Sequence, residues 1–67
     1  MMDGTDRVEF LNVEVLADNP LVLLCRVNGR LVSIPPGRLL PGTAVRQHGD
    51  RGTLVLTREL ATILGLV

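Results

Sequence analysis

Apolar and polar residues alternate along the first third of the chain. Over residues 8–17, VEFLNVEVLA, the apolar Leu11, Val13, Val15 and Ala17 recur at every second position, with Asn12 and Glu14 between them. This period of two, rich in β-branched side chains, predicts a strand. Phe10 and Leu16 break the alternation by falling on the polar side. Asp18, Asn19 and Pro20 then predict a turn, because Asx side chains bond nearby backbone and proline fixes φ.

Residues 21–27, LVLLCRV, predict a second strand and residues 30–34, RLVSI, a third. The intervening Asn28-Gly29 is a hairpin signal, since a type I′ turn needs positive φ at both central residues. That loop sets Val27 against Arg30, Cys25 against Val32 and Leu23 against Ile34. Together with Leu21 they make an apolar core face with Arg30 at its edge. Treating residues 18–20 as a three-residue loop pairs Ala17 with Leu21, Val15 with Leu23 and Val13 with Cys25. The apolar side of the first strand then joins the same core face; a slip of one residue would exchange the faces. Glu14 is expected diagonal to Arg26 on the second face, within reach of a weak cross-strand ion pair. That second face carries Val22, Leu24, Arg26, Leu31 and Ser33, and is mixed rather than polar.

Pro35 and Pro36 end the third strand by removing backbone donors. Two Pro-Gly pairs bracket Arg38-Leu39-Leu40 and predict two turns around one short 3₁₀ segment. Residues 44–47 predict a short fourth strand, 48–52 a polar hairpin loop and 53–56 a fifth strand, with Val45 opposite Leu54. Thr57 is placed to N-cap a helix over 58–64, with Glu59 in the first turn, where the dipole favours negative charge. Leu60, Ile63 and Leu64 share one face of that helix, and Gly65 suits the C′ position. A helix of about two turns is too short to stand alone in water, so its stripe must dock on the barrel or on a neighbouring subunit. The expected fold is mainly β: a small five-stranded, partly open barrel of SH3-like or OB-like size, with a Pro/Gly crossover and one short C-terminal helix. Residues 1–7 are expected to form a flexible N-terminus and residues 8–67 a single domain.

Within residues 52–66, GTLVLTRELATILGL, a strand leads into Glu59-Leu60 in the first helical turn, and Leu64-Gly65-Leu66 closes the helix. This segment resembles the strand–helix motif of AbrB/SpoVT-type swapped-hairpin proteins, with Thr57 where that family usually has Pro and Ala61 where it usually has Arg. The resemblance implies a dimeric barrel with a DNA-binding role.

Composition sharpens the picture. The chain has 67 residues, 46% of them apolar, and Phe10 is the only aromatic. A domain of this size has one thin core and cannot easily bury two sheet faces by itself. Such small domains usually need a disulfide, a metal or a partner. Cys25 is the only cysteine and His48 the only histidine, which excludes an intramolecular disulfide and argues against a zinc site. A homo-oligomer, dimer or higher, remains. Its candidate interface is Val22, Leu24 and Leu31 on the sheet, or Leu60, Ile63 and Leu64 on the helix.

Seven basic residues, all Arg, balance seven acidic ones. Six of the arginines follow Pro20, against Asp50 and Glu59 as the only acids there, so the later chain presents a modest basic surface. Arg30, Arg38 and Arg46 are its candidate nucleic-acid contacts, although no exposed aromatics accompany them for base stacking. No convergent nucleophile, base and orienting group stands out. Cys25 lies mid-strand on the core face. His48 and Asp50 share one loop, and Ser33, the only serine, is on a separate strand. The glycines lack the Lys-Ser/Thr ending of a phosphate loop. No cofactor, metal or small-molecule substrate is expected. The longest uninterrupted apolar run, residues 21–25, is far short of a membrane span, and no signal peptide is evident. A cytoplasmic location is therefore expected. These features favour a non-enzymatic, self-associating interaction module; the alternative is a small nucleic-acid-binding protein, of AbrB-like regulatory type.

Overall fold

The Asn28-Gly29 turn forms as its residue types predict, with φ of 52° and 80°. In the structure, a computed structural model that describes residues 6–67, it joins β2 (Leu23–Val27) to β3 (Arg30–Ile34). The pairs are those expected: Val27 with Arg30, Cys25 with Val32 and Leu23 with Ile34. Before this hairpin runs β1 (Arg7–Asp18), and after it come a single 3₁₀ turn at Pro36–Arg38, β4 (Arg51–Thr57) and α1 (Arg58–Ile63). The four strands form one antiparallel sheet in the order β3-β2-β1-β4. Residues 1–5 of the expected flexible N-terminus lie outside the described residues, and Arg7 already belongs to β1.

The long strand β1 serves two ladders. Its first part pairs with β4 from Arg7–Thr57 to Glu14–Arg51, and its last part with β2 from Glu14–Arg26 to Asp18–Leu23. Each ladder contains one bulge. Between Phe10 and Val13, β1 advances three residues while β4 advances two; between Val15 and Ala17 it advances two while β2 advances one. An extra residue turns the following side chains to the opposite face. Val8 and Phe10 therefore face the core before the first bulge, and Val13 and Val15 face it afterwards. The extra residue of the first bulge is accommodated at Asn12, whose φ is 59°. Asn tolerates this left-handed conformation better than any β-branched residue.

These bulges correct three sequence expectations. Phe10, assigned to the polar side, is buried in the core, while Leu11, assigned to the core, is exposed. Ala17 sits opposite Leu24, off the core side of the sheet. Val15 rather than Val13 lies opposite Cys25, a register shift of two residues that leaves the face unchanged. The turn is also longer than the three-residue loop expected. Asn19 Oδ1 accepts from the backbone N–H groups of both Leu21 and Val22, and Asn19 N–H donates to the carbonyl of Val22. Leu21 and Val22 are thereby held in the turn rather than in the strand.

The five-stranded, partly open barrel is likewise corrected to a four-stranded open sheet. Residues 44–47 form no strand. The Asp50 carboxylate accepts from the N–H groups of Arg46 and Gln47, and so takes donors that a ladder would need. The segment nevertheless stays close to β4, with Ala44 N–H bonded to Thr53 O and Val45 fully buried. Leu40 N–H donates to Val55 O, and the Thr43 hydroxyl both accepts from Val55 N–H and donates to Val55 O.

The helix conforms more closely to expectation. Thr57 Oγ1 accepts from Leu60 N–H. At the other end Gly65, at φ 78°, donates to Thr62 O, and Leu66 N–H donates to Ala61 O, the paired bonds of a Schellman motif. The last helical residue is Ile63, with Leu64 as the cap. Leu60 and Ala61 are buried against the sheet, and Leu39, Leu64 and Leu66 pack around the same core.

Replacing Asn12 with Val should destabilise the fold by about 1–2 kcal/mol, because a β-branched side chain clashes in the left-handed region, whereas Asn12→Gly should be close to neutral. Urea midpoints followed by far-UV circular dichroism check this; equal midpoints for the two variants would contradict the bulge geometry.

Candidate functional site

The two faces of the sheet differ in what lies over them. The core face packs against Leu39, Val45 and the inner side of α1. On the outer face the registers arrange side chains in rows across the strands. One row runs Leu31, Arg26, Glu14, Arg51; the next runs Ser33, Leu24, Ala17. Glu14 is the point where the two ladders of β1 overlap, since it is opposite Arg26 on one side and Arg51 on the other. Its Oε1 lies 3.4 Å from Arg26 Nη1 and 3.4 Å from Arg51 Nη2. Glu14 is thus directly opposite Arg26 rather than diagonal to it.

Two guanidinium groups share a single carboxylate oxygen at long range and in solvent. Such pairs contribute about 0–1 kcal/mol each, and this one leaves one net positive charge. The three side chains border a depression of about 340 Å³ that extends to Leu11 and Asn12 of the bulge and to the Asn28-Gly29 turn. It is an open, polar depression whose charged lining, Arg26, Arg51 and Glu14, carries one net positive charge.

The β3 end of this row and the row beside it add apolar side chains to the outer face. Leu31 is 57% exposed, and Leu24 is half-buried one row further on. Leu31 also belongs to the edge strand β3. In a hairpin with a two-residue loop, the flanking pair exchanges both hydrogen bonds, and alternate residues then direct their N–H and C=O outward. In β3 the outward residues are Leu31 and Ser33. Among the described residues, neither has a backbone partner beyond the sheet. The β4 edge is different. There the backbone groups of Val55 and the carbonyl of Thr53 are taken by Leu40, Thr43 and Ala44.

The residues singled out from sequence are dispersed. Of the sheet set, Leu24 and Leu31 are on the outer face, while Val22 sits half-buried in the turn before β2. The helix set divides: Leu60 belongs to the core, Leu64 is half-buried, and Ile63 is 71% exposed. Arg30, Arg38 and Arg46 occupy the start of β3, the end of the 3₁₀ turn and the loop before β4. No hydrogen bond or ion pair links them. The arginines that do converge are Arg26 and Arg51. The sequence pattern pointed to Glu14 and Arg26, but Arg51 carried no signal, because only the β1–β4 ladder brings it alongside.

Ser33, His48 and Asp50 do not meet. Asp50 uses its carboxylate on the backbone of its own loop, His48 N–H donates to Asp18 Oδ2, and Ser33 is on β3, beyond β2 and β1 from β4. Among the described residues no group of three or more His, Cys, Asp or Glu could hold a metal ion, and no helix is long and apolar enough to cross a membrane. Comparison of the chain with protein-family models, with curated proteins and with solved structures finds no match.

Cys25 is fully buried between Val15 and Val32 of the neighbouring strands. Burial penalises the thiolate and pushes the thiol from 9.0 up to about 11, so the group is protonated at neutral pH. Between these values the folded chain holds a proton that the unfolded chain has released. Stability should therefore be indifferent to this group at neutral pH and fall as pH rises from about 9 through about 11. A shift of that size corresponds to a loss of roughly 2–3 kcal/mol. The chain has no Lys and no Tyr to titrate in the same window. Urea midpoints at pH 8, 9.5 and 11 should drop for the natural chain and stay level for Cys25→Ala; parallel curves for the two would refute the assignment.

Proposed function

We propose that this chain is a non-enzymatic interaction module that associates with further copies of itself through the outer face of the sheet. The observation that carries this reading is Leu31: a large apolar side chain, 57% exposed, at the junction of a sheet face and a sheet edge that no described residue covers. Leu24 extends the apolar area across β2. The thin core of a 67-residue chain gives a physical reason for association, because joining two copies buries apolar surface that one copy cannot cover.

Nucleic-acid binding is the second reading, and the shared carboxylate of Arg26 and Arg51 favours it, because that row keeps a net positive charge on the open face. Phosphate contact of this kind weakens steeply with salt.

Light scattering in low and moderate salt tests both. The natural chain should be a dimer or larger, insensitive to salt, and Leu31→Glu should reduce it to a folded monomer. An unchanged mass for Leu31→Glu would remove the outer face as the interface. The chain has neither Trp nor Tyr, so retained nucleic acid would dominate the absorbance at 260 and 280 nm. Retention that is lost between low and physiological salt would favour the second reading.

A further inference from the structure

We propose that the partner of the open β3 edge is the same edge of a second copy, paired antiparallel about a two-fold axis through Val32, so that two sheets join into one. This rests on the reading of the chain as self-associating and specifies the register.

The backbone sets the geometry. Leu31 and Ser33 are the β3 residues whose N–H and C=O point away from β2. A two-fold axis through Val32 sets Leu31 opposite Ser33 of the second copy, and Ser33 opposite its Leu31. Both members of each such pair direct donors and acceptors at one another, so the outward groups of β3 would be satisfied in a regular ladder. No other antiparallel register of the strand on itself uses both residues of both copies. A shift by one residue sets outward groups against inward ones, and a shift by two leaves one outward residue of each copy beyond the overlap.

The side chains suit the same arrangement. Ser33 is small and exposed, and Leu24 is its neighbour in the row within the chain. Leu31 of the second copy, opposite Ser33, would lean across it toward Leu24. Both copies of Leu31 would be covered, and the half-buried Leu24 would be sealed. Large opposite small also keeps the two Leu31 side chains diagonal to each other, a separation at which long side chains still touch. Arg30 is the only charge in the strand. The axis puts the two copies of Arg30 at opposite ends of the joint, roughly 14 Å apart at about 3.4 Å per residue, beyond the Debye length at physiological salt. No like charges face each other.

Sheet edges that must stay single are normally guarded by lysine, by proline within the strand, by a bulge or by an inward charge. Residues 31–34 have none of these, and Pro35 lies just past the end. The opposite edge of the sheet, at β4, is covered by residues 40–44. Among the described residues, the chain engages the middle of the β4 edge and leaves the β3 edge without a partner.

The test uses the full chain and two kinds of variant. Ser33→Pro removes an N–H that points away from β2, so the internal hairpin keeps its bonds while the edge loses a donor and gains a ring. It should be monomeric by light scattering with an unchanged far-UV circular dichroism spectrum. The second test is disulfide trapping. Opposed residues in a hydrogen-bonded antiparallel pair have Cα atoms about 5.5 Å apart, within disulfide range. An oxidised mixture of Leu31→Cys and Ser33→Cys chains should give a covalent dimer, and either variant alone should not. Cys25, buried and protonated, stays out of the exchange.

A natural chain that is monomeric at high concentration would sink both self-association and this register. A natural dimer that Leu31→Glu dissociates, but that survives Ser33→Pro and gives no mixed disulfide, would leave self-association standing and overturn the edge pairing. If Ser33→Pro fails to fold, the mixed disulfide decides alone: its presence upholds the register, and its absence, or equal cross-linking by either variant by itself, overturns it.

Discussion

The structure depends on one strand being shared between two ladders. β1 is the only strand that touches both halves of the sheet, pairing with β4 along its first part and with β2 along its last. Those partners come from distant parts of the sequence, and their side chains must reach one core. Two bulges meet this requirement. The first turns Val13 and Val15 inward after Val8 and Phe10, and the second releases Ala17 to the outer side, where it meets Leu24. Without them, a period of two running through β1 would send half its apolar residues to solvent.

Other features follow from that division. At the overlap, Glu14 has a cationic neighbour on each side, and the polar row on the outer face is the direct result. The end of β1 approaches the loop before β4, with Val15 N–H donating to Asp50 O and Gly49 N–H donating to Val15 O. Asp18 joins the same junction through His48 N–H. The loop's shape is thus held by Asp50 from inside and by β1 from outside. The crossover from β3 to β4 then has to pass over the core face, and Leu39 and Val45 pack there beside α1.

The sequence was most legible where local chemistry decides the structure. Asn28-Gly29 defines its hairpin, Thr57 and Gly65 bound their helix, and both follow from backbone preferences within a few residues. It was least legible where pairing is non-local. The two exceptions to alternation, Phe10 and Leu16, each adjoin a bulge, so the irregularity was visible in the residues. The meaning of the first depended on β4, a strand more than thirty residues away, and that of the second on the length of the turn into β2. The expected fourth strand failed for a different, local reason, while the expected fifth is present as β4. Residues 44–47 have the right composition for a strand, but Asp50 supplies a competing acceptor for their donors. Of the candidate site, Leu24 and Leu31 could be placed on a common face from the hairpin register alone. The convergence of Arg51 on Glu14 could not, because no local pattern encodes it.

The covering of the β4 edge by residues 40–44 has a consequence for how large an assembly can become. A sheet with two open edges can add copies without limit, each new molecule presenting the edge that the previous one used, and the product is a fibre. Here the outward groups of Val55 and the carbonyl of Thr53 are already engaged by the same chain. Residues 40–44 thereby obstruct growth in the hydrogen-bonding direction at the middle of that edge. Any joining of sheets through β3 uses up the open edge of both participants and leaves nothing to extend. If sheets join through β3 as proposed, the Pro-Gly crossover that shapes the fold would also limit the assembly, favouring a closed pair over an open-ended polymer.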